Sequence, residues 1–509
     1  MSNPSSDNLY ELFLAAAPPE EDAVLLRTLG GRAHTYQEAW RRSARIANHL
    51  TRLGARPGDR VTVQVEKSPE VLWLYLACLR AGLVYHPLNT AYQASEVEYF
   101  LSDAEPVFAV CDSGAEPLYS SLAGAAGIAH VLTLESDGSG TLTDASAECP
   151  DSFETVARTR DDLAALLYSS GTTGRPKGIM LTHGNLASNA RTLVELWEFT
   201  ASDRLLHTLP VFHVHGLFVA THCVLVSGAS MVWLDRFDPR DVISCLPEAT
   251  VMMGVPTYYT RLLAEPGFDR SVCAHMRLFI SGSAPLLAET FEAFERRTGH
   301  AIVERYGMTE TGMNTSNPVR GDRRPGTVGP PLPDVEARLV DGSGEPLPAG
   351  ETGDLQVRGP NVFRGYWRMP EKTREDFTPD GFFNTGDKAT ISEDGYVSIV
   401  GRAKDMVITG GLNVYPKEIE QFIDEFPGVA ESAVIGVAHP DFGEAVVAVI
   451  VPGAGPELTE EAVIAACRSG MANFKVPKRV FFVSELPRNT MGKVQKNLLR
   501  DRHADTFTA

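Results

Sequence analysis

Apolar and polar positions along the chain follow two periods in turn. In residues 36–54 (YQEAWRRSARIANHLTRLG) apolar side chains recur at helical spacing, and Gly54 stands where a C-terminal cap belongs. RVTVQV at 60–65 reads as a strand, and SPEVLWLYLACLRAG at 68–82 as a helix closing on Gly82. VYHPLN and VFAVCD are further short strands. The alternation continues with AALLYSS at 164–170, MVWL at 231–234, ATVMMGV at 249–255 and RLFISG at 277–282. Strands alternating with helices predict α/β layers with a largely parallel sheet. The Gly- and Ser-containing stretch 134–148 reads as a surface loop.

The texture changes twice. Residues 317–365 are rich in Pro and Gly between short strands (TVGPPLPDVEARLVD, EPLPAGETGDLQVRG), which predicts a small, mainly antiparallel sheet or barrel. The second change falls at GRAKDMVITGGLNVYP, 401–416. Beyond it the pattern predicts helix 417–425, strands 432–437 and 445–451, helix 458–469 and strand 479–483. That is a separate α+β unit of about a hundred residues, an ordinary domain size. No internal repeat is visible.

With 509 residues the chain exceeds what one hydrophobic core serves. Its 43% hydrophobic and 22% charged residues are ordinary for a globular protein. The net charge of −19 argues against nucleic-acid and anionic-membrane surfaces, which need clustered Lys and Arg. An anionic substrate must therefore be drawn in by local positive charge. The seven cysteines are scattered among apolar neighbours without a CxxC pair, so buried reduced thiols and a cytoplasmic location are expected. MSNPSSDNLYELF carries no targeting pattern, and no apolar run approaches the length of a transmembrane helix, so no membrane insertion is expected.

Candidate chemistry concentrates in two runs. YSSGTTGRPKG, at 168–178, follows an apolar segment with the hydroxyls Ser169, Ser170, Thr172 and Thr173, the glycines Gly171 and Gly174, and Lys177. Glycines let backbone approach phosphate oxygens, hydroxyls and N–H groups donate to them, and the lysine adds charge. It is not a Walker loop: Pro176 stands where the second glycine belongs and Gly178 where Ser or Thr belongs. The competing reading is a Ser/Thr/Gly surface turn. The second run is ERYGMTET, at 304–311, where Thr309 adjoins Glu310. One carboxylate beside a phosphate site suits Mg²⁺, which keeps its waters. Read alone, TET equally suits a helix N-terminus.

SSGTTGRPKG, YGMTET, NTGD, GRAKD and NTMGKVQK occur in the order and approximate spacing of the acyl-adenylate-forming superfamily, which the chain resembles over nearly its whole length. Within it LPVFHVHGLFVA, MRLFISGSAPLL, ERYGMTETGMNTSNP, GPNVFRGYWRMPEKT and ITGGLNVYPKEIE resemble malonyl-CoA synthetases. The resemblance implies an α/β fold: a large N-terminal domain (1–404) of layered α/β subdomains with a small barrel-like part, then a small mobile α+β lid (405–509). It implies an ATP- and Mg²⁺-dependent ligase that forms malonyl-CoA, AMP and diphosphate through a malonyl-adenylate, with methylmalonate as a further acid. The alternatives are a CoA ligase for another small or medium carboxylic acid, or a stand-alone adenylation enzyme loading a carrier-protein thiol.

Carried over residue by residue, Ser169, Ser170, Gly171, Thr172, Thr173, Gly174 and Lys177 hold the ATP β- and γ-phosphates. Thr309 contacts the α-phosphate and Glu310 holds Mg²⁺. Gly282, Ser283 and Ala284 with Arg305 and Tyr306 form the adenine slot, and Glu304, Gly307 and Met308 join the nucleotide site. Asp387 and Arg402 reach the ribose. Lys493 of NTMGKVQK resembles the lysine of the adenylation half-reaction, and an exposed lysine of this kind invites a lysine acetyltransferase and deacetylase as partners. His213 resembles the histidine beside the acyl carboxylate; as a metal pair with His215 it lacks a third ligand. Asp405 matches the hinge, and Gly410 and Gly411 belong to the loop that comes to the acyl group with CoA. For the acid itself, the pocket segments carry His215, Ser281 and Met308. A second carboxylate needs a cation, for which Arg277 is the first candidate and Arg261 the second. For Arg277 a structural ion pair is the competing reading.

Overall fold

The computed structural model describes residues 6–170, 176–284, 286, 288–402, 407–414, 416–453, 455–456, 458–487 and 494–507. Two large sheets form the N-terminal part. The first runs in the order Gly312–Ser316, Val303–Met308, Leu278–Ser281, Val251–Gly254, Arg204–His207, Ser230–Trp233, Val24–Thr28 and Ala33–Thr35. Its inner strands are parallel and only the two outermost pairings are antiparallel. The second runs Gly365–Tyr366, Pro176–Thr182, Leu163–Ser170, Val84–Pro87, Arg60–Gln64, Phe108–Cys111 and His130–Thr133. The Val251–Gly254, Leu278–Ser281 and Phe108–Cys111 strands are buried at every position, as strands covered on both faces require.

The helix Pro69–Arg80 is buried along its whole length. Its Ser68 cap accepts from Val71 N–H, and Pro69 opens it. Tyr75 shows why an apolar stripe does not suffice here: it packs on Tyr85 on one side and on Phe218 and His222 on the other. A helix enclosed in this way must be apolar nearly all round. Arg80 is tolerated because its guanidinium donates to the Trp40 and Phe153 carbonyls and to Ser43.

The expected helix at 36–54 is Tyr36–Arg52, capped by Thr35. The 134–148 stretch is not a plain loop: it contains the helix Thr141–Ser146, which buries Leu142. The Pro/Gly-rich segment becomes an antiparallel sheet of Glu336–Val340, Thr352–Arg358, Phe383–Ile391 and Val397–Arg402, extending beyond residue 365.

The small C-terminal domain has its own sheet, Leu412–Val414, Val407–Thr409, Gly443–Pro452 and Val429–His439, with Arg479–Phe482 pairing parallel to Gly443–Pro452. Strand alternation sends Val434, Val446, Ala448 and Ile450 to one core with Ile419, Ile423 and Val463. Ile435, Val437, Val447 and Val449 go to the other face, against Leu486 and Leu499. Among the described residues no helix is long and apolar enough to cross a membrane.

Candidate active site

The parallel strands of the first sheet end together at His207, Trp233, Gly254, Ser281 and Met308. In open α/β sheets ligands bind beyond these carboxyl ends. The segments leaving them carry His213 and His215, Gly282 to Ala284, and Thr309 with Glu310.

Arg305 is the centre of the first cluster. It lies on Val303–Met308, is 3% exposed, and packs directly against Gly282. Its Nε and Nη2 have no hydrogen-bond partner, and no carboxylate is paired with it among the described residues. Burial pulls the guanidinium down to about 10, so it remains a cation at neutral pH. His213 Nδ1 accepts from the His215 N–H at 3.2 Å, which leaves the ring proton on Nε2 as a free donor. Burial, and then the Arg305 cation, holds His213 at about 4, so the ring is neutral at pH 7. His215 Nδ1 is 3.2 Å from Ser283 Oγ, while its Nε2 and the Ser281 hydroxyl are buried without hydrogen-bond partners among the described residues. Ser283 takes φ +70°, a strained position for a residue with a β-carbon. A dry cation and neighbouring orphan donors call for a ligand, and a small anion meets the need.

The second cluster surrounds the phosphate run. The strands Leu163–Ser170 and Pro176–Thr182 form a hairpin that sets Ser169 opposite Lys177. Gly171, Thr172, Thr173 and Gly174 lie outside the described residues. Lys177 is buried over the Tyr366 ring at 4.2 Å and lies 3.7 Å from Asp376. Burial lowers its pKa, opposed first by the Glu310 charge and then by Asp376. The Glu310 charge is thus near enough to act on Lys177, which brings together two runs that are distant in sequence. Glu310 is buried, and its carbonyl accepts from Phe363 N–H at 2.7 Å. Among the described residues no three His, Cys, Asp or Glu side chains form a metal cage. A single buried carboxylate fits Mg²⁺ completed by phosphate and water oxygens.

Tyr306 joins residues expected at the nucleotide: its hydroxyl donates to Asp387, and Asp387 stands opposite Arg402 across the strand pair. Glu304, on the same strand face as Tyr306, accepts from Leu286 N–H at 3.1 Å. Met308 is partly buried, with the Tyr306 hydroxyl 3.9 Å from its sulfur. Gly410 and Gly411, at φ +57° and +79°, make the two-residue turn between Val407–Thr409 and Leu412–Val414. A β-carbon on Gly411 would lie 3.0 Å from Val255, so this turn touches the segment beyond strand Val251–Gly254. Asp405 and Lys493 lie outside the described residues.

Arg277 is not part of this site, which corrects the expectation for the second carboxylate. It precedes the strand Leu278–Ser281, at the end opposite Ser281, and grips Asp203 through Nε at 2.6 Å and Nη2 at 2.8 Å. It also donates to the Trp197 and Glu198 carbonyls. Arg261 is exposed on the last turn of Pro256–Ala264. The cation beside His213 and His215 is Arg305, which the sequence reading assigned to the adenine slot. The signal that could have moved it is strand alternation, since Arg305 points away from Glu304 and Tyr306.

A family model described as AMP-binding enzyme matches residues 13–367, and one described as AMP-binding enzyme C-terminal domain matches 418–493. A feruloyl-CoA synthase of an Amycolatopsis species is 38% identical over 482 residues, covering 93% of this chain and 94% of its own. A malonate–CoA ligase of Arabidopsis thaliana is 32% identical over 545 residues, covering 97% and 89%. The crystal structure of ATP-bound MatB from Rhodopseudomonas palustris is 53% identical, with TM-score 0.79, covering 99% of this chain and all of that one (100%).

Proposed function

Because the chain belongs to the AMP-binding enzyme family and is an ATP-dependent acyl-CoA synthetase, we propose that its acid is malonate and its product malonyl-CoA. The observation that carries the acid is Arg305, a buried cation at the ends of the parallel strands that has no carboxylate partner among the described residues. Leaving a charge dry and unpaired is costly, and a second carboxylate on the substrate relieves the cost. An aryl or fatty acid offers Arg305 nothing. The malonate–CoA ligase relative supports the same choice, and methylmalonate, which keeps both carboxylates, is the natural second substrate.

In this reading one malonate carboxylate meets Arg305, with Ser281 and His215 as further donors. The other is steadied by the His213 Nε2–H and attacks the α-phosphorus of ATP, releasing diphosphate. Ser169, Ser170 and Lys177 hold the β- and γ-phosphates. Thr309 meets the α-phosphate, and Asp387 with Arg402 the ribose. Glu310 would hold Mg²⁺, which when bound would supply positive charge at the phosphates. Lys493 offsets the charge that develops at phosphorus. The thiol of CoA then attacks the acyl carbonyl and AMP leaves. The unit beyond residue 405 acts as a lid about Asp405, bringing Lys493 or the Gly410–Gly411 turn to the site. The unpaired state of all seven cysteines supports a reducing, cytoplasmic setting.

AMP release measured with a panel of acids, with and without CoA, tests the reading. Malonate should exceed butyrate in kcat/KM by at least about a hundredfold, the usual value of a buried charge pair. Ferulate or butyrate turned over as well as malonate would overturn it. Adenylate formation without transfer to CoA would point instead to a carrier-protein thiol.

A further inference from the structure

Lys475 is 3% exposed and lies between two carboxylates, 2.6 Å from Glu96 and 2.6 Å from Glu418, with its ammonium over the Tyr92 ring at 4.9 Å. The two acids come from different domains. Glu96 lies on the helix Ala94–Ala104 of the large domain, and Glu418 on Pro416–Asp424 of the small one. Two more bonds cross the boundary at this point. Glu96 Oε2 accepts from the Ala472 N–H at 2.9 Å, and Ser95 Oγ donates to the Gly470 carbonyl at 3.0 Å. Glu96 Oε2 also accepts from its own helix N-terminus at Gln93, which fixes the carboxylate before the small domain arrives.

Glu418 closely follows the hairpin Val407–Thr409/Leu412–Val414, whose Gly410–Gly411 turn reaches Val255. Lys475 thus ties the large domain to the helix that directly follows this hairpin. We propose that Lys475 is a positioning residue for thioester formation, its buried pairs with Glu96 and Glu418 holding the small domain with the Gly410–Gly411 turn at the acid site. The inference rests on the reading above, in which the acyl group passes to a thiol while that turn is in place. The physical basis is differential stabilisation of one arrangement. In it the three charges are desolvated and mutually satisfied, and in any other arrangement Glu96 loses its lysine. Removing one partner lowers the docked population, and a process needing that population slows in proportion.

The test uses the full-length protein, with Lys475→Met and Glu96→Gln assayed on each half-reaction. Glu96→Gln leaves the Lys475–Glu418 pair within the small domain intact, so it separates docking from folding. Pyrophosphate exchange with malonate and ATP reads adenylation; single-turnover transfer from supplied malonyl-AMP to CoA reads thioester formation. Both variants should transfer about tenfold more slowly or worse and show a raised KM for CoA, with exchange within about twofold of wild type. Equal slowing of both halves, or unchanged transfer in Glu96→Gln, would overturn the proposal. If the wild type does not activate malonate, the substrate reading fails instead, and the two variants are then judged with the acid that it does activate.

Discussion

Arg305 lies where a side chain on Gly282 would begin: a β-carbon built there falls 2.3 Å from the guanidinium carbon. The missing side chain is therefore the space that the cation occupies. Gly282→Ala should displace Arg305 and lower malonate kcat/KM by about tenfold, an overpacking effect of a little over 1 kcal/mol. Arg305→Met should cost at least about a hundredfold for malonate, since the second carboxylate then enters a dry pocket unpaired. Butyrate should lose little or gain. Steady-state kinetics on both acids decides this: equal losses would make Arg305 a support of the fold and not the selector of the acid.

The Arg277–Asp203 pair predicts a different phenotype. Asp203 is nearly buried and also accepts from Thr200 N–H and Thr250 Oγ1, so Arg277→Ala removes one partner of a network far from the acid site. About a third of the Arg277 side chain is exposed, which limits the loss to about 1–2 kcal/mol. Thermal melts should show lower stability, with the malonate-to-butyrate ratio unchanged. A shift in that ratio would return Arg277 to the pocket.

These two arginines show where the sequence speaks and where it does not. Repeated spacing was legible: Tyr36–Arg52 and the parallel strands declare themselves through apolar periodicity and glycine stops. For Arg277 an ion pair stood as the competing reading, but its partner was not legible, because Asp203 lies 74 residues away and nothing local marks it. Arg305 was half legible, since alternation along ERYGM separates it from Glu304 and Tyr306 but does not say what lies on its side. Thr141–Ser146 escaped because six residues are too few to show a period. Nothing local in the sequence singles out Lys475, and only the docking of two domains makes it a buried lysine.

Glu304 predicts a pH dependence of stability. Burial raises its carboxyl from the usual range to about 7, opposed by the Leu286 N–H bond. Because the folded pKa exceeds the unfolded one, the folded protein binds the proton more tightly. That contribution is fully present below about pH 4.5 and is lost as pH rises through about 7. Glu304→Gln should therefore raise the melting temperature more at pH 8 than at pH 5.5. An equal change at both values would mean that Glu304 is ionised in the folded protein throughout this range.

The last prediction concerns Lys493, whose assignment rests on NTMGKVQK. In the proposed reaction its ammonium serves only while negative charge builds at the α-phosphorus; the later attack of a thiol on the acyl carbonyl does not involve it. Lys493→Ala should thus lose pyrophosphate exchange by about a hundredfold or more, the range of a single electrostatic group in a transition state. It should still convert supplied malonyl-AMP and CoA to malonyl-CoA, the reverse of the Lys475→Met phenotype. Acetylation of Lys493 removes the same charge and should give the same pattern, with activity returning on deacetylation. The pair of variants makes the argument exacting, because each serves as the other's control for general damage. Lys493→Ala slowing both halves alike would remove the division of labour between Lys493 and the Gly410–Gly411 turn. Mass spectrometry that finds Lys493 unmodified in native protein would leave acetylation without a role.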